Sequence, residues 1–104
     1  MGEFVKVARI GEVLEGKLTE SKVGENSILL TNISGKIYAI DSRCSHLKLS
    51  MAKGVIEVNV LICPHHGSEF DITTGANLKG PAKKPIQTYE VKIEGDNIFV
   101  KAVN

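Results

Sequence analysis

Two short groups of cysteine and histidine hold most of the residues in this chain whose types and spacing could do chemistry. They are Cys44-Ser45-His46 and Cys63-Pro64-His65-His66, separated by sixteen residues. Both cysteines and all three histidines of the 104-residue chain lie in these groups. Thiolates and imidazole nitrogens are ligands of zinc and of iron–sulfur centres, so the two groups predict a metal centre.

The spacing of the ligands bears on which metal is bound. Two cysteines and two histidines would satisfy tetrahedral zinc, but zinc sites usually pair like ligands, C-x₂₋₄-C followed by H-x₃₋₅-H. Here each group supplies one sulfur and one nitrogen, as C-x-H and C-x-x-H. In a Rieske [2Fe–2S] centre, histidines replace the cysteines on one of the two irons. The mixed groups favour the two-iron centre, while a zinc-stabilised β domain stays open on spacing alone.

Composition and charge limit the class of protein. Thirteen basic and twelve acidic side chains give a net charge of +1, which argues against nucleic acid or a membrane as partner. The hydrophobic fraction of 42% is typical of a folded chain. No apolar run approaches the ~18 residues of a membrane span, and none is typical of a signal peptide. We therefore predict a single domain over residues 1–104 in a cytoplasmic protein, where a disulfide is disfavoured.

The elements that position the two groups are predicted to be strands. Short runs rich in Ile and Val alternate with polar residues and end at Gly, Asn or Asp, a pattern that indicates antiparallel strands. Such runs lie at residues 4–8, 27–31, 36–40, 58–62, 89–93 and 98–100. The only helical candidate, over residues 10–18, is short and contains two glycines. The prediction is an all-β fold in which Cys44 and Cys63 follow the strands that end at Ile40 and Ile62.

The residues around the two groups resemble the cluster loops of Rieske-type ferredoxins, the soluble, low-potential kind that serves oxygenases. The runs 44–50 and 63–71 are similar to the first and second cluster loops, and Gly80-Pro81-Ala82 resembles the proline loop that covers the cluster. The resemblance spans nearly the whole chain in the expected order. It implies a Rieske-type fold of stacked antiparallel sheets with both cluster-binding loops at one tip.

The resemblance also implies a ligand set. Cys44 and Cys63 would bind the buried iron of one [2Fe–2S] cluster as thiolates, and His46 and His66 would bind the outer iron. His65 lies between two ligands and is expected to be a solvated or packing side chain, because ligation through it would change the spacing of the second group.

Departures from high-potential members of the family predict a low reduction potential. Those members tie the two loops together with a disulfide, and the equivalent positions here are Leu49 and His65. They also carry a tyrosine where this chain has Phe70, which removes a hydroxyl donor to the sulfurs, whereas Ser68 is kept. Fewer donors favour the oxidised state, so we expect the lower end of the Rieske range of about −150 to +300 mV.

One-electron transfer is the chemistry that remains once oxygenase activity is excluded. An oxygenase needs an additional iron held by two histidines and a carboxylate, and only His65 would be uncommitted. We therefore predict an electron carrier and no enzyme, in a monomeric state. Its partners are predicted to be a reductase and an oxygenase component or other oxidoreductase. The alternatives are a small Rieske subunit permanently bound to a larger reductase, and the zinc-stabilised interaction module.

The charge pattern suggests how partners dock. Six basic residues against two acidic ones, Glu69 and Asp71, are predicted near the cluster tip: Arg43, Lys48, Lys53, Lys79, Lys83 and Lys84. Such a surface would attract an acidic surface on a redox partner. The alternative is that these loops carry lysines only for solubility.

Overall fold

Eleven strands make up most of the regular structure of residues 3–44, 49–65, 67–80 and 84–101, the parts that this computed structural model describes. In chain order they are β1 (Phe4–Arg9), β2 (Leu18–Val23), β3 (Asn26–Ile33), β4 (Lys36–Asp41), β5 (Val55–Glu57), β6 (Val60–Ile62), β7 (Glu69–Asp71), β8 (Asn77–Lys79), β9 (Thr88–Tyr89), β10 (Val91–Glu94) and β11 (Asn97–Lys101). All strand pairings are antiparallel. The all-β prediction is confirmed.

Within the described residues the strands form three sheets. The terminal sheet has the order β1-β11-β10, the central sheet β2-β3-β4-β9, and the loop-bearing sheet β5-β6-β7-β8. The loop-bearing sheet is inserted between β4 and β9 of the central sheet, so the chain leaves the central sheet through the first predicted cluster loop. This topology brings both cysteine-containing segments to the junction of two sheets.

The central sheet is buried on both faces. Ile28, Leu29, Leu30 and Thr31 of β3 are each 0% exposed. Because side chains alternate along a strand, Leu29 enters one hydrophobic cluster while Ile28 and Leu30 enter another. A strand covered on both faces reads as a continuous apolar run, which is what Ile28–Leu30 shows.

Two hydrophobic cores result, and we name them by their contents. The cysteine core lies toward the loop-bearing sheet and contains Leu29, Ile40, Cys44, Met51, Leu61, Cys63, Phe70, Ile72 and Ile86. The aliphatic core lies toward the terminal sheet and contains Val13, Val23, Ile28, Leu30, Ile37, Ala39, Ile98 and Val100.

Three local predictions need correction. The helical candidate over residues 10–18 is only a 3₁₀ helix at Ile10–Glu12, consistent with the low helix propensity of its two glycines, Gly11 within the short helix and Gly16 after it. The run 58–62 is not one strand, because Val58, with φ of 59°, and Asn59 form the turn between β5 and β6. The run 89–93 is divided at Glu90, where the chain passes from β9 in the central sheet to β10 in the terminal sheet.

No helix among the described residues is long and apolar enough to cross a membrane.

Candidate metal centre

Both cysteines lie at the base of a loop and face the same core. Cys44 follows the end of β4, and Cys63 directly follows β6. Each is 3% exposed, each belongs to the cysteine core, and neither is in a disulfide. The fold therefore brings together two thiols that are nineteen positions apart in the sequence. His46 and His66, the two predicted nitrogen ligands, lie outside the described residues.

The first loop is closed at its base by backbone hydrogen bonds. The N–H of Cys44 donates to the carbonyl of Leu49 at 2.9 Å, and the N–H of Met51 donates to the carbonyl of Ser42 at 2.7 Å. Arg43 and Ser50 form an antiparallel bridge between these bonds. Met51, at 0% exposed, then anchors the far end of the loop in the cysteine core.

The second loop is a tight turn after β6. The N–H of Cys63 donates to the carbonyl of Ser68 at 2.8 Å, and the N–H of Gly67 donates to the carbonyl of Cys63 at 3.1 Å. Gly67 has φ of 77°, in the left-handed region that glycine adopts without a steric penalty. Ser68 is 1% exposed and Phe70 is 0% exposed, so the residues just after the turn are also buried.

The two loops are in contact with each other. Gly54, just past the first loop, packs so closely that an added Cβ would lie 2.6 Å from the carbonyl oxygen of Ile62. Nearer the tip, the ring Nε2 of His65 lies 2.9 Å from the carbonyl oxygen of Ser50. The sequence predicted a solvated or packing role for His65, and its exposed position agrees with that, but the bond to Ser50 was not foreseen.

A third segment supports the site from the side. The N–H of Ile86 donates to the carbonyl of Gly75 at 2.9 Å, and the N–H of Asp41 donates to the carbonyl of Gln87 at 2.8 Å. A side chain at Gly75 would meet the carbonyl oxygen of Ile86, so the approach requires glycine. Ile86 itself joins the cysteine core. The predicted proline loop at Pro81 and Ala82 lies outside the described residues, and Gly80 is exposed.

Asp41, at the end of β4, also acts electrostatically on the central sheet. Burial, and to a lesser extent the carboxylate of Asp41, raise the pKa of the Tyr89 hydroxyl above its usual value of 10.0. Tyr89, which packs against the aliphatic core, therefore stays neutral at physiological pH.

Basic side chains lie at the surface around the loops. Of the six basic residues predicted near the cluster tip, Arg43, Lys53, Lys79 and Lys84 are exposed, whereas Lys48 and Lys83 lie outside the described residues. Lys79 pairs with Glu69 at 4.0 Å, an exposed contact that offsets part of its charge.

The donor chemistry of the described residues fits the sulfur half of the predicted centre. A thiolate in an apolar core is costly unless a cation compensates its charge, and a metal ion does this by ligation. Within the described ranges, no three His, Cys, Asp or Glu side chains gather, and both nitrogen donors lie outside those ranges. Cys44 and Cys63 would supply two thiolate ligands, and the two predicted nitrogen ligands follow them in the loops that these cysteines begin.

Comparison with known proteins decides between zinc and iron. The family model described as the Rieske [2Fe-2S] domain matches residues 3–90. The chain belongs to the Rieske [2Fe-2S] domain family. This Rieske domain is similar to ferredoxins along almost its entire length. It is 36% identical over 98 residues, 94% of each chain, to the ferredoxin component of the naphthalene 1,2-dioxygenase/salicylate 5-hydroxylase systems of Ralstonia sp.

Two further comparisons agree. The Rieske domain is 32% identical over 97 residues to the biphenyl 2,3-dioxygenase ferredoxin component of Rhodococcus jostii, covering 93% of this chain and 91% of that one. The solved ferredoxin of carbazole 1,9a-dioxygenase from Nocardioides aromaticivorans has a TM-score of 0.89 at 29% identity, over 93% of this chain and 95% of that one. The predicted resemblance to Rieske-type ferredoxins is confirmed, and with it the prediction of an electron carrier.

Proposed function

We propose that this ferredoxin carries single electrons from a reductase to the terminal component of an oxygenase system, with one [2Fe–2S] cluster held by Cys44, Cys63, His46 and His66. The observation that carries the proposal is the burial of both thiols in one core, at the bases of two contacting loops. Its relatives are named as ferredoxin components of dioxygenase systems, which supports the same role here.

The chain's own residues divide the work between the two irons. Cys44 and Cys63 would bind the inner iron, since their side chains are 3% exposed. His46 and His66 would bind the outer iron, because Leu49 and His65, the described residues near them in the same loops, are exposed. When bound, the cluster supplies a site that accepts and releases one electron. The apolar core keeps water from the inner ligands, and the outer ligands give electrons a short path to a partner.

We also propose that the protein performs no substrate chemistry of its own. The sequence contains three histidines, two of which are assigned to the cluster, so a second iron site with two histidines and a carboxylate has too few ligands. Catalysis would then take place in the partner. The proposal extends to a monomeric, cytoplasmic, single-domain protein, and a radius of gyration of 12.7 Å supports the single domain.

The partner's docking surface is proposed to be acidic. Arg43 and Lys53 are exposed beside the first loop, and Lys84 is exposed in the segment that supports it. Interactions between exposed charges weaken with salt over a Debye length of ~8–10 Å at physiological ionic strength. Electron transfer through this surface should therefore be fast at low salt and slower at high salt.

The test is rapid mixing of the reduced holoprotein with an oxidised terminal oxygenase. We expect the cluster to be reoxidised, and we expect Lys53→Glu to slow the second-order rate about 3- to 10-fold at low salt, the size of one charge reversal at an interface. Lys17→Glu is the matched control, because Lys17 precedes β2 at the end of the central sheet away from Cys44. Equal rates for the two variants would contradict the proposed docking surface. A reduced cluster that no terminal oxygenase reoxidises would contradict the proposed function.

A further inference from the structure

The contact between His65 and Ser50 joins two loops that no backbone hydrogen bond connects among the residues that the structure describes. Each cluster loop is closed on itself, the first by the bond from Cys44 to Leu49 and the second by the bond from Cys63 to Ser68. The 2.9 Å contact from the Nε2 of His65 to the carbonyl oxygen of Ser50 crosses from one loop to the other, over fifteen positions of sequence.

The direction of this hydrogen bond follows from its acceptor. A carbonyl oxygen can only accept, so the Nε2 of His65 must carry the proton and donate it. The distance of 2.9 Å is that of a well-formed N–H···O bond. This commits the Nε2 of His65 to the backbone of the first loop.

The acceptor is held in place by the fold. Ser50 is bridged to Arg43, and the next residue, Met51, is fixed in the cysteine core with a backbone bond to Ser42. The Oγ of Ser50 accepts the N–H of Ala52 at 3.2 Å, which further orients this segment. His65 therefore donates to a rigid point, and the bond restrains the second loop relative to the first.

We propose that His65 is a positioning residue that clamps the two cluster loops together without a covalent bond. The clamp joins His65 of the second loop to Ser50, the residue after Leu49. Leu49 and His65 are the two positions where high-potential members of the family place their disulfide. A hydrogen bond restrains less than a disulfide, so the loops should open more easily here than in a cross-linked protein. The inference rests on the proposed function only in that a cluster must be bound between the loops.

The test compares His65→Leu, which removes the donor, with His65→Gln, whose terminal N–H lies about as far from the backbone as the histidine Nε2. The holoproteins are incubated with an iron chelator, and the loss of visible absorption gives the rate of cluster release. We expect release about 3- to 10-fold faster for His65→Leu, the worth of one hydrogen bond, and within about twofold of the unmodified protein for His65→Gln. Rescue by glutamine is the result that a general packing role would not give.

Equal release from His65→Leu and the unmodified protein would overturn the clamp, as would release from His65→Gln as fast as from His65→Leu. Should His65→Leu fail to fold, Leu49→Cys/His65→Cys is compared with His65→Cys alone. A disulfide that slows cluster release supports the clamp, whereas equal rates overturn it. An unmodified protein that binds no iron would contradict the proposed function itself, and this result is read before any variant is compared.

Discussion

The two hydrophobic cores of this protein share one sheet and differ in almost every other respect. The aliphatic core is built from β1, β10 and β11 against the central sheet, and its main strands are four to eight residues long. The cysteine core is built against β5, β6, β7 and β8, each only three residues long, and against loops. The aliphatic core therefore lies between regularly paired strands, whereas one side of the cysteine core consists of short strands and loops.

This structural difference bears on two properties of the protein, the stability of the folded chain and the retention of the cluster. Short strands contribute few ladder hydrogen bonds, so the loop-bearing sheet relies on individual contacts such as Met51 in the core and the bond from Ile86 to Gly75. A bound cluster would add ligand bonds to this same side and stabilise it by mass action. We therefore expect both cores to contribute to the stability of the folded chain, and only the cysteine core to set the retention of the cluster.

Leu29 and Leu30 test this division most strongly, because they are neighbours on β3 and both are 0% exposed. Leu29 belongs to the cysteine core and Leu30 to the aliphatic core. Truncation of either to alanine should lower the free energy of unfolding by about 2–5 kcal/mol, measured by chemical denaturation. Only Leu29→Ala should also speed release of the cluster to a chelator at temperatures where both variants are folded. Equal release rates would break the distinction between the cores.

Thr31 offers a smaller test on the same strand. Its hydroxyl is buried at 0% exposure and has no hydrogen-bond partner within the described structure. Because an unsatisfied buried hydroxyl is costly and valine has nearly the same shape, Thr31→Val should raise the free energy of unfolding by about 1 kcal/mol. The measurement is a denaturant titration of the holoprotein.

The control for that substitution is Thr19→Val. The Oγ1 of Thr19 donates to the carbonyl of Glu12 at 3.3 Å, so its removal loses a bond and should give no gain. A Thr31→Val protein that is less stable than the original would show that the hydroxyl has a role in the packing of β3.

The sequence predicted the strands that have strong local signals. The hairpin of β3 and β4 follows from the two apolar runs on either side of Ser34-Gly35, and both members of that turn have positive φ. The turn at Val58 was missed because a β-branched residue rarely adopts φ of 59°. The break at Glu90 was missed because a change of sheet leaves no mark on the alternation of one strand.

The sequence predicted ligands for the site but gave no signal for the residues that support them. Cysteine and histidine are rare in the chain, so their spacing carries a strong signal. The burial of Met51 and the bond from His65 to Ser50 arise only when two loops meet in space. No pattern within either loop encodes them, since both depend on how the central and loop-bearing sheets pack. The predicted low potential and the four-residue ligand set stay predictions.

Pulsed electron paramagnetic resonance of the chemically reduced holoprotein tests the central claim most directly. If Cys44 and Cys63 bind one iron while His46 and His66 bind the other, the spectrum will show couplings from two imidazole nitrogens. His46→Cys and His66→Cys should each remove one of these nitrogens, and His65→Gln should remove neither. A reduced protein without nitrogen coupling, or one whose coupling disappears with His65→Gln, would contradict the account.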